Sequence, residues 1–222
     1  MEILLDASGP QCRCGLLHEG HWLAARETGD PALQGLFDGL NACLCEAGLA
    51  LADTERFVFG EGPGSVLGIR IAAMAINAWR ATSACRDCPV VAFRSLELAA
   101  AYLRDVEGLG GSFAVLAEAK QGKWNALVVD GPEVSPQIIL MTPAEVDALT
   151  VPKFALPMRA TWPREALTGA VKPVVVPMAV VPALLSAGRV PLRPRENLEA
   201  FVVEAAVYKT WSGGPHSAEV AP

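Results

Sequence analysis

Gly62-Pro63-Gly64-Ser65 is the stretch of the chain best suited to chemistry. It follows a short apolar run and precedes a long apolar segment, so it reads as a strand-to-helix turn. Such a turn can hold an anion, because free backbone N–H groups and the helix dipole both favour negative charge. Gly62 and Gly64 allow close backbone approach, Pro63 stiffens the turn, and Ser65 is placed to cap the helix. No lysine stands where a Walker-type phosphate loop needs one. The competing reading is a tight turn with no ligand. Asp6, at the end of the first apolar run and two residues before Ser8, is the best acid candidate. A carboxylate there could hold a metal-bound water or a phosphate-bound cation, or simply bond to its own turn.

Other reactive residue types are sparse. The three histidines are His18, His21 and His216, and no His-x-x-x-His pair exists to hold a metal on a helix. There is no Gly-x-Ser-x-Gly nucleophile elbow. The six cysteines come as Cys12-x-Cys14, Cys43-x-Cys45 and Cys85-x-x-Cys88. One Cys-x-x-Cys could chelate zinc or cycle a disulfide, but the Cys-x-Cys members diverge on a helix. Buried small hydrophobes in a reducing compartment are the simpler expectation.

Behind these residues stands a chain of 222 residues, 52% hydrophobic and 19% charged. That length suits one domain or two small ones. A low charge content is consistent with apolar surface covered by a partner. No unbroken run of 18 apolar residues is present, and the N-terminus lacks a basic region followed by an apolar stretch. Neither a membrane span nor a signal peptide is expected, and the cytoplasm is the expected location. The net charge of −6 argues against a free-standing nucleic-acid binder. Yet residues 151–195 carry Lys153, Arg159, Arg164, Lys172, Arg189, Arg193 and Arg195 against Glu165 alone, a balance of +6. That segment is either a solvated basic face or a patch for an acidic partner or RNA within a complex.

The elements that must position these residues follow from periodicity and punctuation. Residues 2–8, 12–18 and 21–27 read as three consecutive strands, with a turn at His18-Glu19-Gly20. Asp30-Pro31 opens a helix that Gly48 stops. A buried strand over 56–60, a helix from Ser65 to about Thr82, a strand over 89–94 and a helix capped by Ser95 complete the order β-β-β-α-β-α-β-α. This is an α/β layer with a mixed sheet. Gly108, Gly110 and Gly111 mark a boundary, giving lobes at 1–107 and 108–222. In the second lobe a hairpin turns at Gln121-Gly122-Lys123. Thr142-Pro143-Ala144-Glu145 is a capping box. Eleven prolines between Pro132 and Pro194 restrict this lobe to short elements. Residues 196–211 suggest a closing helix or strand that packs back on the first lobe, and 211–222 a loose tail.

The segment after the turn carries only Arg70 and Arg80 as charges over 66–82. Val66, Leu67, Ile69, Ile71, Met74, Ile76 and Trp79 spread around the whole helix, and a helix apolar all round is buried all round. A sheet covers one face, so a neighbouring helix or another chain should cover the rest. Leu67, Ile69, Arg70, Ala72, Ala73, Ile76 and Trp79 are the expected interface residues.

Gly62-Pro63-Gly64-Ser65-x-x-Gly68-Ile69-Arg70-Ile71 resembles the Gly-Pro-Gly-Ser-Phe-Thr-Gly-Leu-Arg-Ile signature of the TsaB family. These bacterial tRNA threonylcarbamoyladenosine (t6A) biosynthesis proteins are also called YeaZ-type, glycoprotease-like or M22 peptidase-like. Residues 1–8 resemble the family's opening strand with its Asp-Thr-Ser. Ser95-Leu96-Glu97-Leu98-Ala99 is similar to its Ser-Leu-Glu-x-Leu-Ala helix. Glu118-Ala119-Lys120-Gln121-Gly122-Lys123-Trp124 stands where the family has Asp-Ala-Arg-Arg-x-Glu-Val-Tyr, and Pro194 to Tyr208-Lys209 resembles its closing Pro…Tyr-x-Arg. Asp6-Ala7-Ser8, Val66-Leu67 and Glu118-Ala119-Lys120-Gln121 each depart from the family's polar groups near the nucleotide cleft.

The resemblance implies a two-lobed, actin-like (ribonuclease-H-like) ATPase fold with mixed sheets flanked by helices. It implies a non-catalytic scaffold that binds the TsaD transferase, with the ATPase TsaE as a third member, and a homodimer when TsaD is absent. Within such a complex tRNA would be met, and no membrane. No cofactor is required; Asp6, Ser8, Gly62, Pro63, Gly64 and Ser65 would form a vestigial phosphate site with weak ATP or ADP binding. The alternative is an actin-like-fold ATPase or small-molecule kinase that uses those same two loops.

Overall fold

The computed structural model describes residues 1–82, 85–131, 133–134, 137–157 and 167–203. The first lobe runs β1 (Glu2–Asp6), β2 (Cys12–His18), β3 (His21–Thr28), α1 (Ala32–Ala47), β4 (Arg56–Gly60), α2 (Val66–Arg80), β5 (Val90–Phe93) and α3 (Ser95–Asp105). This is the element order the sequence predicts. β1 to β3 form an antiparallel meander, and β4 and β5 add in parallel on the other side of β1. Glu19 and Gly20 both take positive φ in the two-residue β2–β3 turn. Gly48 ends α1 in the left-handed conformation, as its type predicts.

The second lobe contains β6 (Phe113–Glu118), β7 (Trp124–Asp130), β8 (Glu133–Val134), β9 (Ile139–Met141), α4 (Pro143–Asp147), β10 (Lys153–Ala155), β11 (Val171–Pro173), α5 (Val181–Ser186) and β12 (Arg193–Pro194). Its sheet has the order β11-β10-β6-β7-β8, with β9 also on β7. β7 runs antiparallel to β6, whereas β10 and β11 run parallel. Each lobe therefore places its first strand between an antiparallel partner and two parallel ones. The Thr142–Glu145 capping box forms, with Pro143 at the first helical position.

β12 leaves this lobe and pairs antiparallel with β5, so the first lobe's sheet has six strands in the order β12-β5-β4-β1-β2-β3. Residues 195–203 continue along the first lobe without regular structure. The rest of the expected closing element, and the tail, lie outside the described residues.

One core lies between the first sheet and α1 and α2, built on Phe57, Phe59, Ile69, Ile76, Leu36 and Leu5. A second core lies on the opposite face and joins the lobes through α3, with Phe93, Leu96, Phe113 and Val115. Side-chain hydrogen bonds to carbonyls also cross the lobes: Arg13 Nη2 donates to that of Val176 (2.9 Å), Trp22 Nε1 to that of Met178 (2.8 Å) and Arg104 Nη2 to that of Gly131.

Helix α2 departs from the expectation of burial on every side. Gly68, Ile69, Ala72, Ala73, Ala75 and Ile76 are buried in the chain's own core. Leu67, Arg70, Met74, Asn77 and Ala78 form one exposed stripe at helical spacing. Of the seven expected interface residues, Ile69, Ala72, Ala73 and Ile76 thus face inward. Trp79 packs edge-on against Phe37 of α1 and stacks on Phe57 of β4. Leu67 and Arg70 face out. Alanines at several positions around the helix hide the difference between its faces in the sequence.

The basic segment also changes meaning. Arg193 and Arg195 pair with buried Glu97 and Glu61, and Arg189 pairs with Asp105. Lys153 is buried and donates to the carbonyls of Val146, Asp147 and Leu149. Lys172 is exposed. Arg159, Arg164 and Glu165 lie outside the described residues. Most of the described excess charge is therefore neutralised within the chain and forms no free patch.

Candidate functional site

The turn 62–65 reaches its geometry by backbone-on-backbone packing. A Cβ on Gly64 would lie 2.2 Å from the Ser8 carbonyl oxygen, and one on Gly68 would lie 2.1 Å from that of Ala7. Only glycine permits this approach. Gly62 has φ of 95° and precedes a cis proline. The Ser65 N–H donates to the Ser8 carbonyl (2.7 Å), and the Gly68 N–H to Ser65 Oγ (3.2 Å). Ser65 is the helix cap that its type predicts. Two of the N–H groups that would face an anion are therefore directed at the chain itself.

Asp6 and Ser8 sit beside this turn. Asp6 Oδ1 accepts from the Ser8 N–H (2.9 Å) and from Ser8 Oγ (2.6 Å), so the carboxylate does bond its own turn. Ser95 does not cap α3: Arg94 occupies the cap position and makes no side-chain cap. The Ser95 hydroxyl instead donates to the Pro63 carbonyl (3.0 Å) and lies 3.4 Å from Ser8 Oγ. Asp6, Ser8, Pro63, Gly64, Ser65 and Ser95 together line a cavity of about 170 Å³ between the lobes. Its second wall comes from Ala117, Glu118, Leu156, Pro157 and Val174 to Val176.

Beneath the turn lies an ion network that sequence reasoning missed. Glu61 accepts a two-pronged pair from Arg195 (2.7 and 2.9 Å) and a third bond from Arg94 Nε (3.0 Å). Glu97 accepts two bonds from Arg193, both 2.8 Å. The Arg94 guanidinium stacks 3.8 Å from the Phe201 ring centre, and the Phe201 N–H donates to the Glu61 carbonyl. Both carboxylates are buried, and bidentate arginine is the geometry that compensates such burial. The partners are separated by 96 and 134 positions along the chain, so no local pattern could reveal them.

The cysteines are spread through the first lobe, and all but Cys45 are buried. Cys85 and Cys88 donate to the carbonyls of Leu51 and Thr54. Contact with the Cys43 thiol, followed by burial, raises the Cys14 thiol above its ordinary pKa. Among the described residues no three His, Cys, Asp or Glu side chains converge as metal ligands. His18 and His21 flank the β2–β3 turn, and His216 lies outside the described residues. No helix among the described residues is long and apolar enough to cross a membrane.

Two lobes, each with a mixed sheet flanked by helices and separated by a cleft, define a two-lobed class of α/β protein. Within that class the chain is similar to YeaZ from Pseudomonas aeruginosa, at 22% identity and a TM-score of 0.62, over 84% of this chain and 90% of that one. A second structure, described as an uncharacterised protein with similarity to peptidase YeaZ from the same organism, matches at 22% identity and a TM-score of 0.61. That match spans 84% of this chain and 89% of the other. At this identity the likeness shows a shared fold. No family model matches the chain, and no curated protein matches it.

Proposed function

We propose that the chain is a divergent TsaB (YeaZ-type) protein acting as a non-catalytic scaffold subunit of the t6A modification machinery. Its role is to bind and support the TsaD transferase, with TsaE as a further partner and tRNA met only in the assembled complex. The observation that carries this reading is the exposed stripe on α2. Leu67 and Met74 are each 70% exposed on one face of a helix anchored firmly on its other face, and Leu33 of α1 is 61% exposed. Large apolar side chains repeated along a rigid helix are suited to another helix. The YeaZ fold and the signature around Gly62–Ile71 support the family, and the inward-turned N–H groups of the glycine turn support a role without a required nucleotide. In the absence of TsaD the same stripe serves a homodimer, in the cytoplasm.

The test is co-expression with the TsaD of the same organism, followed by size-exclusion chromatography with mass determination. A stable one-to-one complex is expected, lost in Leu67→Glu and in Met74→Glu while both variants stay folded. Failure of the unmodified pair to associate would overturn the reading.

A further inference from the structure

The inter-lobe cavity has a charge character that a scaffold does not need. Asp6 is only 6% exposed and lines this space. Both of its hydrogen bonds fall on Oδ1, and among the described residues no donor reaches Oδ2. Glu118 stands on the opposite wall and has no cationic partner among the described residues. Among the described residues Arg13 is the one cation lining the cavity, and it is bonded elsewhere: Nε donates to Glu27 (2.7 Å) and Nη2 to the Val176 carbonyl. Among the described residues the lining therefore carries two carboxylates against one guanidinium, and Asp6 is sheltered from solvent, where charge interactions are stronger than in water. A polyphosphate would be repelled, and the Ser65 amide that could attract it is turned inward.

We infer that this cleft binds a small organic cation, a primary ammonium on an aliphatic stem. An ammonium has three donors and no acceptor. Asp6 Oδ2 and the oxygens of Ser8 and Ser95 lie on one side to accept them, and Glu118 adds charge from the other. The remaining wall suits the stem: Leu98, Ala117, Leu156 and Val174 to Val176 are apolar. A bare divalent cation is served less well, because among the described residues no three acidic or imidazole ligands converge there. This inference does not depend on partner binding and stands or falls separately from it.

The test is calorimetric titration of the intact protein with n-pentylamine at neutral pH, with n-pentanol as the uncharged isostere and ADP with magnesium as the anionic competitor. The amine is expected to bind at least tenfold more tightly than the alcohol, and ADP should neither bind nor displace it. Asp6→Asn keeps an oxygen to accept from Ser8, so it should fold normally and lose tenfold or more in amine affinity. Glu118→Gln, at a partly exposed position, should lose severalfold. Equal affinity for amine and alcohol would overturn the inference. So would absence of amine binding, unchanged binding in Asp6→Asn, or displacement of the amine by ADP.

Discussion

Gly64 and Gly68 show how much of the turn a sequence can reveal. Their spacing, with Pro63 and Ser65, was legible as a strand-to-helix turn, and Ser65 caps as its type requires. The reason for the glycines was not legible, because the atoms they avoid belong to Ala7 and Ser8, far away in the chain. Gly68→Ala places a methyl group 2.1 Å from the carbonyl oxygen of Ala7, the residue directly after β1. A loss of about 1–3 kcal/mol is expected from such overpacking, read from urea unfolding. Asp6 was legible as the acid of the cleft, whereas Ser95 was read as a cap because its contact with Pro63 joins two distant segments. Glu61 gave no signal at all. Glu61→Gln leaves the Arg195 guanidinium without its countercharge and Arg94 with only the Glu97 carboxylate, 3.9 Å away, and about 3 kcal/mol of stability should be lost.

Helix α2 illustrates the limit of periodicity at the scale of elements. Its position and length follow from the pattern, but a buried alanine and an exposed alanine look alike in a sequence, so Ala72 and Ala78 could not be told apart. The structure reassigns the informative variants. Leu67→Glu and Met74→Glu should change stability by no more than about 0.5 kcal/mol, whereas Ile69→Glu buries a charge and should unfold the chain. Thermal melts beside the association assay separate these outcomes. In the second lobe Asp147 ties residues 168–169 to α4. It accepts from Thr168 Oγ1 (2.6 Å), the Thr168 N–H (3.0 Å) and the Gly169 N–H (3.1 Å), which together hold its pKa below the ordinary 3.8. Because the folded value is the lower one, the unfolded chain takes up the proton first as pH falls. The contribution is therefore present well above pH 3.8 and is lost as pH drops past that value. The gap in urea midpoint between the native chain and Asp147→Asn should close across that window.

At the scale of the whole molecule, the α/β class and the succession of elements were readable from alternating short apolar runs and caps. The way the chain folds back was not. Composition alone shows an excess of positive charge over 151–195, but Arg189, Arg193 and Arg195 find Asp105, Glu97 and Glu61 from the first lobe. A charge count over a window cannot see partners outside it. The same contacts bind the lobes together with Arg13, Trp22 and the shared core around α3. A chain ended before Arg193 should therefore melt at a lower temperature than the intact one. Its weakened protection in hydrogen exchange should fall on β5 and the turn after β4, although both belong to the other lobe. Unchanged protection there would show that the returning strand adds nothing to the first lobe.

The return of β12 to β5 also sets an order of events at the ribosome. Chains begin to fold from their N-terminus while synthesis continues. The first lobe's meander, helices and parallel strands emerge early, but the sheet edge at β5 stays open until Arg193 and Pro194 have left the exit tunnel. During that interval Glu61 and Glu97 lack the arginines that later neutralise them, and an unpaired strand edge is available to a neighbouring nascent chain. The interval in which this protein most needs a chaperone is thus fixed by the position of its last described strand.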